Sequence, residues 1–279
     1  MILVADSGST TTNWCLINQS GENFFFDTEG YNPYYVDQDY IVQSLNKNLP
    51  GDIKPAQITE VHFYGAGCML DKTPVIEDAL ELVFRRAKVH TAMDLLAASR
   101  ALLGREPGFA AILGTGTNTC IYDGNKITQN IDSLGYMLGD EGSGSYIGKK
   151  LLQEYLRGYM PEPVSNQFRE YIGLSFDEIM DRVYTHSMAN RFCAGFAMFA
   201  GEHIELPYLY DIVKTSFVDF FNNLVSRYPG YQQYSLNCLG SVGYHFRNIL
   251  KETAAMFKME TGKIISSPME DLVRYHSQY

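Results

Sequence analysis

Cysteine is sparse: five residues in 279 (Cys15, Cys68, Cys120, Cys193, Cys238), far apart and with no C-x-x-C pair. An odd, dispersed set reads as free thiols in a reducing compartment, not as a disulfide framework. The spacing suggests no zinc or iron–sulfur site. No apolar run approaches the ~20 residues of a membrane-spanning helix. Cations are outnumbered, with 22 Lys+Arg against 32 Asp+Glu for a net charge of −10. That argues against nucleic-acid or anionic-membrane partners. It leaves a phosphate ligand open, because backbone N–H groups and a metal hold phosphate without net positive charge. There is no G-x-S-x-G and no H-E-x-x-H. Met1-Ile2-Leu3-Val4-Ala5 reads as a strand with no basic leader, so the expected address is the cytoplasm.

What is present is an ordinary globular composition, 46% hydrophobic and 19% charged, long enough for roughly two domains with a large core. Ile2 to Ala5 is an apolar run that ends in Asp6-Ser7-Gly8-Ser9-Thr10-Thr11-Thr12 and resumes at Trp14-Cys15-Leu16-Ile17, a hairpin signal. Phe109 to Leu113, Gly114-Thr115-Gly116-Thr117-Asn118 and Thr119 to Tyr122 repeat that arrangement about 107 residues later. Further strands are expected at 23–26, 60–64, 87–90, 236–239 and 264–265. Helices are expected at 40–49, 73–86, 93–103 and 146–159, over most of the stretch to about 228, and at the C-terminus. Strands and helices alternate, so the class is α/β. The best boundary is Arg105-Glu106-Pro107-Gly108, between the two halves of the repeat.

Each candidate segment has two readings. The hairpin around Asp6, Ser9 and Thr10 can set N–H groups and hydroxyls against a phosphate while Asp6 positions Mg²⁺, or it is a plain turn. The hairpin with Thr115, Gly116 and Thr117 lacks the lysine of a P-loop and gains weight only as the pair of the first. Gly139-Asp140-Glu141-Gly142-Ser143-Gly144 offers close backbone approach and two carboxylates, or an acidic helix N-terminus. Asp94 opens an apolar helix and is a general base or a helix cap. Gly240-Ser241-Val242-Gly243 can lie under an adenine or ribose, or be a tight strand–helix turn. The six histidines show no ligand spacing and read as structural or surface residues.

In order, these segments resemble the actin/hexokinase/heat-shock-chaperone ATPase superfamily. Gly135-Tyr136-Met137-Leu138-Gly139-Asp140-Glu141-Gly142-Ser143 is similar to the hallmark of its BadF/BadG/BcrA/BcrD ATPase family, which includes N-acetylglucosamine kinase. The resemblance implies an α/β, two-domain actin-like ATPase (ribonuclease H-like) fold with an interdomain nucleotide cleft. The expected domains are 1–106, on the sugar side, with the C-terminal helix free to pack back on it, and 107–279, on the nucleotide side. It implies ATP-dependent phosphorylation of an amino sugar, N-acetylglucosamine at the 6-hydroxyl, with ATP and Mg²⁺. Asp94 matches the catalytic base. Asp6, Ser9, Thr10, Thr115, Gly116, Thr117, Ala197, Gly240 and Ser241 match the nucleotide site, with Asp6 near the metal. Asn32, Asp94, Ser133, Leu134, Gly135 and Asp140 match the sugar site. Leu134 stands where the family commonly has Trp, and Met93 where an Asn often precedes the catalytic Asp. The expected partners are a small-molecule amino sugar and a second copy of the chain, with no nucleic acid and no membrane. Two other readings remain: an ATPase activator of a radical dehydratase or reductase, which would need paired cluster cysteines, and a non-enzymatic nucleotide-switched module.

Overall fold

Two hairpins closed by small polar residues start two sheets of the same topology. The computed structural model describes residues 1–8, 11–18, 23–68 and 71–277 and divides the chain into two compact units, 1–105 with 268–279, and 106–267. The first unit runs β1 (Ile2–Ser7), β2 (Thr11–Ile17), β3 (Asn23–Glu29), α1 (Gln38–Asn48), β4 (Glu60–Gly65), α2 (Thr73–Val83), β5 (Lys88–Met93) and α3 (Asp94–Leu103). Its sheet order is β3-β2-β1-β4-β5. β1, β2 and β3 pair antiparallel, and β1, β4 and β5 pair parallel. Trp14 anchors this core: it is fully buried, stacks on Phe26 with ring centroids 5.8 Å apart, and its indole N–H donates to Thr28 Oγ1 at 2.9 Å. That bond satisfies the polar handle that a buried Trp otherwise leaves unpaired.

The second unit runs β6 (Gly108–Leu113), β7 (Thr117–Tyr122), β8 (Ile127–Asn130), α4 (Gly135–Leu138), α5 (Gly144–Leu156), α6 (Glu162–Ile172), α7 (Phe176–Tyr184), α8 (Ala189–Glu202), α9 (Pro207–Asn223), β9 (Ser235–Leu239), α10 (Ser241–His245), α11 (Arg247–Met256) and β10 (Glu260–Ile265). Its sheet order, β10-β9-β6-β7-β8, repeats the first, with β6, β7 and β8 antiparallel and β6, β9 and β10 parallel. α5 and α8 cross closely because Gly148 has no side chain: a Cβ there would lie 1.8 Å from the carbonyl oxygen of Cys193.

The last helix, α12 (Met269–Ser277), belongs to the first unit. It packs on α3, β1 and β2 through Met269, Leu272, Val273 and His276, so the second unit closes at Ser267 and not at 279. Two other boundaries move. α2 stops at Val83, where Phe84 leaves helical geometry, and not at Arg86. α5 begins at Gly144, because Ser143 caps it by accepting from the Tyr146 N–H. Among the described residues no helix is long and apolar enough to cross a membrane.

Candidate active site

In both units the candidate residues gather at the C-terminal ends of the parallel strands, where open α/β sheets place their ligands. In the first unit, register puts Asp6 opposite Tyr64 and Ser7 opposite Gly65, and Gly65 opposite Met93. Asp6 thus lies one residue before the end of β1, while Asp94 starts α3, directly after β5. The two carboxylates interact: burial and then the charge of Asp94 push Asp6 up to about 7. Asp94 is also raised by burial, against the opposing backbone N–H bond from Leu95. Asp94 therefore has one feature of a helix-capping carboxylate, yet it retains the raised proton affinity suited to a base.

Asn32 joins this end of the sheet through the turn after β4. It is buried, accepts from the Tyr34 N–H at 3.0 Å, and sits so close to Gly67 that a Cβ there would be 2.7 Å from its Oδ1. Gly67 also has φ +81°, so two constraints exclude a side chain at that point. Cys68 follows; burial and the nearby Asp94 charge push its thiol up to about 12. None of the five cysteines forms a disulfide, and all are buried. Ser7 shapes the hairpin: its hydroxyl bonds Thr12 Oγ1 at 2.7 Å and accepts the Tyr31 N–H at 3.0 Å. Ser9 and Thr10 lie outside the described residues.

In the second unit Asp140 is the hub. It is buried, with φ +58°. Its Oδ1 accepts from the Thr117 N–H at 3.1 Å and from Ser133 Oγ at 3.0 Å, and its own N–H donates to the Ser133 carbonyl at 3.0 Å. Burial raises its carboxyl, while Thr117, Ser133 and the Lys149 charge oppose the rise. Lys149 in turn donates to the Tyr136 carbonyl at 2.8 Å. Asp140 thereby locks the hairpin after β6 to the loop around Ser133, Leu134 and Gly135. Leu134 has φ +60° and is 62% exposed. Left-handed geometry at a leucine and an aspartate in one short loop is the kind of strain that surrounding structure must impose. Gly139 completes the lock: a Cβ there would stand 1.9 Å from the Ser133 carbonyl oxygen. We expect Gly139→Ala to displace that carbonyl and destabilise the protein by about 1–3 kcal/mol, read as a lower thermal midpoint. A midpoint equal to the parent's would mean that the loop yields without cost.

The nucleotide candidates divide. Thr115, Ala197 and Ser241 line one cavity of about 600 Å³, together with Gly114, Gly144 and Ser266, a size typical of small-molecule sites. These positions follow β6, β9 and β10 or lie on α5 and α8. Gly116, Thr117 and Gly240 are not in its wall. Gly116 faces the Asp140 carboxylate. The Thr117 hydroxyl donates to the Glu141 carbonyl at 2.7 Å. Gly240, at φ +125°, lets the chain pass the Leu113 carbonyl, which a Cβ would approach to 2.4 Å. The first turn of α5 is docked on the same hairpin, Gly144 N–H to the Gly114 carbonyl at 2.8 Å and Ser145 N–H to the Thr115 carbonyl at 3.0 Å.

Sequence reasoning missed much of the wall, including Arg191, Met198, Glu202, Tyr244, His245 and Phe246. The α8 contribution has a helical period that could have been read, but its mixture of small, apolar and charged residues resembles a half-exposed face.

No protein-family model and no curated protein matches the chain. Among solved structures, a candidate N-acetylglucosamine kinase from Porphyromonas gingivalis is 39% identical, with 100% of this chain and 99% of that one covered and a TM-score of 0.94. A candidate N-acetylglucosamine kinase from Chromobacterium violaceum is 17% identical over 98% of each chain, TM-score 0.73. A ROK-family glucokinase from Streptomyces griseus, solved with glucose and AMPPNP, is 11% identical over 99% of this chain and 98% of its own, TM-score 0.55. The last two show the fold, that of the actin-like sugar kinases. The first shows more: at 39% identity over the whole of both chains, this chain belongs to the family of the Porphyromonas gingivalis candidate N-acetylglucosamine kinase.

Proposed function

We propose that the chain is an ATP-dependent sugar kinase of the BadF/BadG/BcrA/BcrD type that phosphorylates N-acetylglucosamine at its 6-hydroxyl. The observation that carries the reading is Asp94, a carboxylate at the head of α3 whose proton affinity is raised by burial and which lies within electrostatic reach of Asp6. A base works best when its pKa lies nearer the working pH than a free carboxylate's does. In this reading the acceptor oxygen bonds the γ-phosphorus, its proton passes to Asp94, the bond to the β,γ-bridging oxygen breaks and ADP leaves. The positive end of the α3 dipole favours the ionised form of Asp94, which keeps the base available despite its burial.

Asp94 lies in the first unit, and the cavity assigned to the nucleotide lies in the second. Asp6 fits a magnesium site: among the described residues nothing hydrogen-bonds its carboxylate, and burial plus the Asp94 charge leave its anion uncompensated. No group of three or more His, Cys, Asp or Glu among the described residues is arranged as a metal cage. That suits an ion held mainly by phosphate oxygens and water, the usual state of Mg²⁺ with nucleotides. When bound, Mg²⁺ would neutralise charge on the transferring phosphate. Asn32 and the Ser133–Gly135 loop locked by Asp140 are assigned to the sugar. The amino-sugar assignment is supported by the Porphyromonas gingivalis relative, and the buried free thiols fit a reducing, cytoplasmic compartment.

ADP release measured with ATP and a panel of N-acetylglucosamine, N-acetylmannosamine, N-acetylmuramic acid, glucosamine and glucose tests the reading. The expected result is the highest kcat/KM for N-acetylglucosamine. A flat response across the panel would overturn it.

A further inference from the structure

Apart from Ala197, the cavity wall contributed by α8 is a single stripe. Arg191, Ala194, Gly195, Met198 and Glu202 line it, and their spacing places them on one helical face. Two glycines, one on α5 and one on α8 itself, fix which end of the stripe is which. A Cβ on Gly144 would lie 3.3 Å from the Ala194 Cβ and 3.4 Å from the Gly114 carbonyl oxygen. The early part of α8 is therefore beside the hairpin that follows β6. Gly201, near the other end, abuts the His245 ring, 2.3 Å from a would-be Cβ to Nε2. Arg191 lies nearly one turn before Ala194, on the hairpin side. Glu202 is eleven residues further along, roughly 16 Å at 1.5 Å per residue.

Arg191 and Glu202 are the two permanently charged residues among those lining the cavity. Among the described residues no carboxylate pairs with the Arg191 guanidinium and no acceptor receives its N–H groups. An Arg held half-buried in a concave wall without a protein partner is available to an anionic ligand. Its planar fork of donors matches phosphate oxygens better than an ammonium does. Glu202 repels phosphate from the opposite end. The polarity of the stripe matches the hairpin, where Gly114 and Thr115 reach the same cavity.

We propose that Arg191 is the phosphate-binding cation of the nucleotide site, and that it orients the nucleotide with its phosphates toward Gly114–Thr115 and its base toward Glu202, Tyr244 and His245. This rests on the reading of the cavity as a nucleotide site. Because the phosphate hairpins carry no lysine, Arg191 supplies fixed positive charge that the backbone amides do not.

The test is equilibrium binding of ATP, ADP and adenosine to the parent protein, Arg191→Met and Arg191→Lys. Arg191→Met keeps the aliphatic stem and removes only the charge and donors. We expect it to weaken ATP and ADP about 10- to 100-fold, the range of a charged hydrogen-bonded contact, and to leave adenosine within about twofold. Arg191→Lys should recover part of the loss. Adenosine weakened as much as ADP would place the guanidinium at the base and overturn the proposal, as would ATP and ADP bound as tightly as by the parent. A parent protein that binds neither ADP nor adenosine would overturn the reading of the cavity itself, and the proposal with it. Far-UV circular dichroism of both variants confirms that the comparison is between folded proteins.

Discussion

Asp94→Asn binds ATP like the parent and transfers phosphate about a hundred- to ten-thousandfold more slowly, the range that a positioned general base contributes. The substitution is nearly isosteric and retains an oxygen to accept the Leu95 N–H, so the head of α3 keeps its geometry. Its effect on stability has the opposite sign to its effect on rate. A carboxyl whose folded pKa is raised costs stability as pH climbs from its ordinary value, 3.8 for Asp94, through the folded one, because the unfolded chain gives up that proton more readily. At neutral pH the amide removes this cost, and it also removes the charge that helps to hold Asp6 near 7. The thermal midpoint should therefore stay level or rise while activity collapses, which separates a catalytic loss from misfolding. In the parent, the rate should climb with pH through an apparent pKa above 3.8, and that value belongs to the Asp6–Asp94 pair jointly. Parent-like turnover by Asp94→Asn would remove Asp94 from the mechanism. A falling midpoint together with lost activity would assign it a structural role instead.

The hairpins were legible because strand–small polar turn–strand is a local signal, and its recurrence about 107 residues on predicted two sheets of one design. Asp94 was legible for the same reason, an acid at a helix start, but its nearness to Asp6, which β5 and β1 bring about, was not. β8 was not legible: Ile127–Asn130 is an edge strand with three exposed residues, so no apolar alternation marks it. Nor does the apolar stripe of α12 state which sheet it covers, because Leu272 and Val273 would pack as well on either. Asp140 appeared as a sugar ligand or an acidic helix start. The geometry shows what neither reading contains, a carboxylate bonded to Thr117 and Ser133 across 23 and 7 residues. Such long-range partnerships leave no periodicity in a single chain.

The histidines illustrate this most fully, and they carry the second large effect. His62 on β4, His90 on β5 and His276 on α12 show no ligand spacing, yet their rings stack: His62 on His276 with centroids 4.1 Å apart, and His62 on His90 at 4.9 Å. His276 Nε2 bonds the Tyr64 hydroxyl at 2.9 Å, and Arg100 from α3 donates to that same hydroxyl at 2.5 Å. Tyr275 lies on the other side, beneath the Arg100 and Arg105 guanidinium groups. Glu60 is the nearby carboxylate, and it pairs with His62, not with His276. A proton on His276 would therefore be buried beside Arg100, and burial, then His62 and Arg100, hold its pKa down to about 3 from 6.5. A histidine depressed in the folded state takes up its proton on unfolding, so its contribution is complete above 6.5 and is lost as pH falls from 6.5 toward 3. Between pH 7 and pH 4 that is about 3 kcal/mol. Because α12 packs on α3, whose first residue is Asp94, activity should fail with it. Urea unfolding of the parent and His276→Gln at pH 7 and pH 4 isolates this contribution, because the raised carboxyls of Asp6 and Asp94, which act in the opposite direction, are common to both. His276→Gln keeps an acceptor for Tyr64 and cannot charge, so on going from pH 7 to pH 4 it should lose about 3 kcal/mol less stability than the parent loses. An unchanged pH dependence in His276→Gln would show that the acid sensitivity arises elsewhere.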